Sequence, residues 1–168
     1  MYGIDTTRDP LTGCFDRAYG MHLLQILTSG AAKQTREFAV ALIDIDEFKQ
    51  VNDRRGHPTG DEALWEIAKL LELSFTQRNP VCRIGGDEFL VLFPDAPTAH
   101  LITLLEQAKR EVSREAGRPI IRQSLPLTIT VGLAFYPRHG QTPEELLKAA
   151  DVALYHGKQM GGNQVTSA

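Results

Sequence analysis

Residues 38–45 read Phe-Ala-Val-Ala-Leu-Ile-Asp-Ile, a nearly unbroken apolar run of strand-forming residues that stops in acid at Asp44, Asp46 and Glu47. The run is too short for an ordinary helix and lacks the polar alternation of a strand with one wet face. It therefore predicts a strand buried on both faces, and a sheet that holds such a strand needs helices packed over it.

The rest of the chain supplies them. After the turn-forming Asp9-Pro10-Leu11-Thr12-Gly13, Ala18, Met21, Leu24, Ile26 and Leu27 recur near helical spacing. They predict a helix ending at Ser29-Gly30, then a polar linker from Lys33 to Glu37. Phe48 to Asp53 leads through Gly56-His57-Pro58-Thr59-Gly60 into an amphipathic helix, with Asp61 near its start and Leu64, Ile67, Ala68 and Leu71 on its apolar stripe. Residues 81–84 and 89–93 read as short strands joined by Gly85-Gly86-Asp87-Glu88, where two glycines would admit the positive φ of a tight hairpin. A helix over 99–114, a strand over 127–135, a helix over 143–155 opened by Pro143, and an edge strand at Gln164-Val165 complete the series. The expected class is α/β, an α+β sandwich with helices flanking a mostly antiparallel central sheet of about five strands.

Composition narrows function more than fold. The 168 residues, 42% hydrophobic and 23% charged, suit one globular domain and argue against collagen-like, disordered or coiled-coil chains. A formal charge of −3 gives no basic excess for nucleic acid or an anionic membrane. Cys14 and Cys82 lack metal-ligand spacing and fit a reducing cytoplasm better than a disulfide framework. No apolar run approaches the roughly 18 residues of a membrane span, and no secretory signal pattern opens the chain.

Chemistry concentrates in two acidic clusters, Asp44 with Asp46 after the first strand and Asp87 with Glu88 in the hairpin. If the hairpin pairs beside the first strand, both meet at one edge of the sheet. Like charges that close repel unless a cation lies between them or one group takes up a proton. Hard oxygen donors without His or Cys favour magnesium or manganese over zinc, and magnesium commonly shares its shell with substrate phosphates. Either cluster alone reads as cap or turn chemistry; only their convergence points to a metal.

Gly85-Gly86-Asp87-Glu88-Phe89, preceded by Arg83-Ile84, resembles the signature of the GGDEF family, the diguanylate cyclases. Residues 44–53, Gly56-His57, Gly60-Asp61-Glu62, the opening Asp9 to Gly13, and Ala150-Asp151 through Tyr155 and Lys158 extend the resemblance over about residues 8–166, leaving 1–7 as a tail. The resemblance implies a fold similar to the palm of nucleotide cyclases and polymerases. It also implies condensation of two GTP into cyclic di-GMP and two pyrophosphates by a homodimer of half-sites, downstream of a sensor or receiver domain. By the same resemblance Asp44 and Asp87, with the Ile45 carbonyl, hold Mg2+ or Mn2+, and Glu88 serves a second metal or deprotonates the attacking 3′-hydroxyl. Asn52 and Asp61 take the guanine, since a carboxylate accepts from guanine N1–H and N2–H. Phe48, Lys49 and Lys158 hold phosphates, while Gly85 and Gly86 let the nucleotide approach the backbone. Arg83 either reaches phosphate or caps a strand face.

Two positions depart from the family pattern. Thr76 and Asn79 stand where an Arg-x-x-Asp motif binds product, which predicts no product inhibition there. Gly162 stands where an Arg that helps hold the triphosphate is common, which predicts weakened GTP binding and lowered activity. Gly162 also keeps open a silent domain that binds GTP or cyclic di-GMP as a regulatory module, and a palm-type unit with another purine remains a third reading. His57 reads as a structural loop histidine, Trp65 as helix packing and not a stacking platform, Cys82 as core and Cys14 as an inert loop thiol.

Overall fold

Phe38–Ile45 forms β1, the middle strand of a five-stranded sheet in which Val81–Arg83 (β2), Glu88–Phe93 (β3), Ile129–Tyr136 (β4) and Val165–Ser167 (β5) take the order β2-β3-β1-β4-β5. The structure, a computed structural model, describes residues 7–34, 36–95, 98–115 and 127–168. Pairings are antiparallel except for the parallel β4–β5 edge. Helices Arg17–Gln34 (α1), Phe48–Arg55 (α2), His57–Ser74 (α3), Thr98–Glu115 (α4) and Pro143–Gln159 (α5) cover both faces. No helix among the described residues is long and apolar enough to cross a membrane.

The period of two along β1 divides the core. Ala39, Ala41, Ile43 and Ile45 face a cluster that includes Phe48 and Val51 of α2, Ile67 and Leu71 of α3, and Leu101 and Leu105 of α4. Phe38, Val40 and Leu42 face the other layer, with Leu24 of α1 and Leu146, Ala150 and Leu154 of α5. Asp44 continues the second series, and this parity turns its side chain toward α5.

α5 lies close on the sheet because β4 carries Gly132 beneath it. A Cβ there would fall on the Ala150 carbonyl and the Leu154 backbone nitrogen. The N-terminus of α5 is fixed by a capping box, Thr142 Oγ1 accepting from Glu145 N–H at 3.2 Å while the Glu145 carboxylate accepts from Thr142 N–H at 3.2 Å, with Pro143 at its first position.

Three local expectations change. α1 runs through Gly30 to Gln34, because glycine inside a helix costs only about 1 kcal/mol and ends one only when the chain turns left-handed after it. The polar lead after β1 is itself the helix α2, and α3 begins at His57 after Gly56, whose φ of +85° breaks the two apart. Gly85 and Gly86 are not in the left-handed region; the hairpin closes instead with Ile84 N–H on the Glu88 carbonyl at 2.9 Å. The cysteines stand as expected: Cys82 is core, and Cys14 lies in the loop before α1 and is buried there; burial pushes its thiol up to about 11 and that of Cys82 to about 12, so neither is a reactive thiolate.

Gly132→Ala should lower unfolding stability by about 2 kcal/mol or more, as overpacking against backbone does. Gly30→Ala, with open space around it, should be neutral or stabilising by up to about 1 kcal/mol. Urea denaturation midpoints of the two variants check the contrast.

Candidate active site

β3 pairs beside β1 with Asp44 opposite Glu88, and Ile45 N–H donates to the Asp87 carbonyl at 3.2 Å. Phe89, Val91 and Phe93 belong to the first core cluster, and Leu90 and Leu92 to the second. Glu88 therefore projects from the same face as Asp44. Like charges directly opposite in a strand pair repel. Burial drives the Asp44 carboxyl above the ordinary value, with Asp87 and Glu88 adding to the rise against the pull of Lys158.

Lys158 arrives from the last turn of α5. Its Nζ pairs with Asp44 Oδ1, lies 3.1 Å from Asp46 Oδ1 and stands 3.5 Å from the Ile45 carbonyl oxygen. Burial alone would lower its pKa, but the hydrogen bonds and charges of Asp44 and Asp46 outweigh it and raise the value. Asp46 differs sharply from its neighbour. It accepts from Thr128 Oγ1 at 2.7 Å, Thr130 Oγ1 at 2.6 Å and Asn163 N–H at 2.8 Å. These bonds and Lys158 lower its pKa although burial opposes them. Asp46 is a satisfied structural anchor for the turn before β5, and Asp44 is a carboxylate kept under repulsion. The Thr128 and Thr130 partners carry no sequence signal beyond a pair of hydroxyls two apart in a strand.

Around this edge stand the other residues. Phe48 is buried at the start of α2, and the Lys49 side chain beside it is exposed. The Asn52 side chain lies over Gly60, which ties α2 to α3 and leaves Asp61 exposed in the first turns of α3. Glu88 folds its carboxylate back toward Gly85. His57 is exposed at the start of α3. Trp65, expected to pack, is 52% exposed.

Arg83 makes structural contacts within the chain. Its Nη1 pairs with Asp9 Oδ1 at 3.0 Å, its Nη2 donates to the Gly86 carbonyl at 2.8 Å, and its Nε donates to the Gly85 carbonyl at 3.2 Å. These contacts clamp the opening turn onto the hairpin. Asp9 also accepts from Thr12 N–H and Oγ1 at 2.9 and 2.7 Å, and its carboxyl is held below the ordinary value against the effect of burial.

The oxygens of Asp44, Ile45 and Asp87 are all hard donors, and an ammonium already rests on the first two residues. That donor set fits a hard divalent cation. Among the described residues no group of three or more His, Cys, Asp or Glu surrounds one metal position, so such a cation would complete its shell with carbonyl, water or phosphate oxygens.

The family profile for the diguanylate cyclase GGDEF domain matches residues 6–164. This chain belongs to the GGDEF domain family. It is 38% identical over 161 residues to the response regulator PleD of Caulobacter vibrioides, and 35% identical over 159 residues to the probable diguanylate cyclase DgcT of Escherichia coli; each match covers 94% of this chain and 35% of the relative. The GGDEF chain thus spans about a third of the length of those relatives. The GGDEF domain of DgcB from Caulobacter crescentus, solved in complex with c-di-GMP, superposes with a TM-score of 0.88 at 30% identity, covering 97% of this chain and 96% of that one. The cyclase-type α/β fold expected from the sequence is therefore the fold of the family.

Both departures from the GGDEF pattern are visible. Thr76 donates its hydroxyl to Asn79 Oδ1 at 2.9 Å, and Asn79 N–H closes the turn on the Thr76 carbonyl at 2.8 Å. The turn lies at the opposite end of β2 from the hairpin and satisfies itself. Gly162 has φ +74°, and a Cβ on it would stand 3.0 Å from the Asp46 carboxyl carbon. An arginine introduced there would pay for a left-handed backbone and crowd the Asp46 anchor, so Gly162→Arg is a poor probe of triphosphate binding.

Asp46→Asn should cost about 2 kcal/mol, the scale of hydrogen bonds to a charged acceptor. Asp44→Asn, which relieves repulsion, should cost less than about 0.5 kcal/mol or stabilise. The sign follows from linkage: the lowered Asp46 adds stability above its unfolded value of 3.8 that is lost on acidification. The raised Asp44 acts the other way, its cost appearing as pH climbs past 3.8. Thermal unfolding at pH 7 without added metal compares the two variants.

Proposed function

We propose that residues 8–166 form a diguanylate cyclase domain that condenses two GTP into cyclic di-GMP and two pyrophosphates. The observation that carries the reading is Asp44 opposite Glu88 on one face, with the Asp87 carbonyl bonded to the next residue of the same strand. Asp44, Asp87 and the Ile45 carbonyl are the oxygens that would hold Mg2+ or Mn2+, which when bound supplies charge neutralisation at the phosphates. The first-turn N–H groups of α2 at Phe48 and Lys49 point where phosphate oxygens gain from a helix N-terminus. Lys158 adds a positive charge where charge builds on the α-phosphoryl group and the departing pyrophosphate. Asn52 and Asp61 read the guanine edge. Glu88, exposed and opposite Asp44 in the strand pair, would serve a second metal or take the proton of the attacking 3′-hydroxyl.

One domain presents these groups once, and two GTP must meet, so the working unit in this reading is an antiparallel pair of domains, each holding one nucleotide. The cytoplasm is the compartment that supplies GTP and keeps the two buried cysteines reduced. An upstream sensor or receiver would set how often the domains meet. Gly162 supports a second reading, a weakly active domain that chiefly binds nucleotide, because it offers no cation to the triphosphate.

Incubation with Mg2+ and GTP over a range of protein concentrations should yield cyclic di-GMP at a rate rising more steeply than first order in protein, with no product from ATP. Asp87→Ala should lower the rate by about two orders of magnitude or more. Absence of cyclic di-GMP at every concentration would leave only the nucleotide-binding reading. Because Thr76 and Asn79 present neither guanidinium nor carboxylate, added cyclic di-GMP should leave the initial rate unchanged within about two-fold, a difference of roughly 0.4 kcal/mol. Strong inhibition lost on substituting Thr76 or Asn79 would contradict that expectation.

A further inference from the structure

Asp61 has a neighbour on its own helix that the packing of the fold does not use. Trp65 stands one turn further along α3, is 52% exposed, and is the sole tryptophan of the chain. The core stripe of α3 runs through Ala63, Leu64, Ile67 and Leu71 and leaves Trp65 outside it. Residues four apart share a helix face, and a long helical side chain leans back over the preceding turn. Trp65 and Asp61 therefore share one exposed face of α3.

The same flank continues toward the hairpin. Glu72 Oε1 lies 3.5 Å from Arg8 Nη1, and Lys69 Nζ stands 3.6 Å from where a Cβ on Gly13 would be. The opening turn that these residues meet is clamped to the Gly85 and Gly86 carbonyls through Asp9 and Arg83. Along α3, Trp65 thus falls between the carboxylate assigned to the base edge and the contacts that lead to the hairpin. An aromatic plane at that place has an occupant of matching chemistry, since every nucleobase presents a π face and gains from stacking on an indole.

We propose that Trp65 is a base-stacking residue of the nucleotide site, its indole packing on the face of the guanine whose edge Asp61 takes. This rests on the guanine-nucleotide reading of the site. The two residues divide the work: Asp61 sets the preference for guanine over adenine, and Trp65 adds affinity for a purine ring of either kind. Loss of the indole should weaken GTP binding without changing the GTP-to-ATP preference, whereas Asp61→Asn should erode that preference.

With one tryptophan in the chain, tryptophan emission reports on this residue alone. Mg2+ with GTP is titrated into the protein while tryptophan emission and calorimetric heat are followed in parallel. We expect emission to change with the calorimetric midpoint. Trp65→Ala should bind GTP about ten-fold more weakly, Trp65→Phe should keep most of the affinity, and both should retain the far-ultraviolet circular dichroism of the parent. Heat of GTP uptake with unchanged emission, or a Trp65→Ala variant that binds as the parent does, overturns the stacking role and leaves the guanine site standing. Absence of GTP uptake by the parent overturns the guanine site and the stacking role together.

Discussion

Asp44 faces Glu88 across hydrogen-bonded strands, a repulsive contact held in place by everything around it. Repulsion of this kind survives only when the surroundings over-determine the geometry. Here β1 is paired on both edges and packed on both faces, so the backbone positions of the two residues cannot part without breaking the register. The Lys158 ammonium relieves part of the charge, and the carboxyl of Asp44 still stays above its ordinary value. What remains is an edge of hard oxygen atoms with an unmet demand for positive charge. In the reading proposed above, a divalent cation would meet that demand.

The same edge shows how two carboxylates two residues apart are given different work. Asp46 is surrounded by donors from Thr128, Thr130 and Asn163 and acts as a tie between β1, β4 and the turn before β5. Among the described residues, Asp44 receives only Lys158 as a hydrogen-bond donor, with Asp87 and Glu88 as repulsive neighbours. Strand parity puts both side chains on the side of Lys158, and their neighbours separate stability from repulsion: Asp46 meets a ready-made set of donors, while Asp44 stands opposite Glu88 in the strand pair. α5 is the element that completes both, and its close seat over Gly132 sets where Lys158 arrives.

Much of this was legible in the residues. The apolar run 38–45 is β1 end to end, and the acids that follow it do meet those of the hairpin, because β3 pairs where the sequence pattern placed it. Short-range signals misled where tertiary contact decides. Two glycines in the hairpin suggested positive φ, but Arg83 fixes the turn through its carbonyls instead. Trp65 suggested packing, since periodicity shows which residues can share a face and not which face the neighbours cover. The roles of Arg83 and Asp9 depend on a pair 74 positions apart, and the anchor around Asp46 on partners 82 or more away, distances at which a single sequence carries no pairing signal. The tail at 1–6 and the segment 116–126 lie outside the described residues.

The central claim is that Asp44 and Asp87 seat a divalent cation against a guanosine triphosphate. Mn2+ titration followed by the paramagnetic resonance of the free ion, with and without a non-cleavable GTP analogue, tests it directly. The account predicts that the free-ion signal falls with protein only when the nucleotide is present, and that Asp44→Asn with Asp87→Asn abolishes the protein-dependent fall. A protein-dependent fall that is the same in that double variant would show that the acids hold no metal, and the account would be wrong.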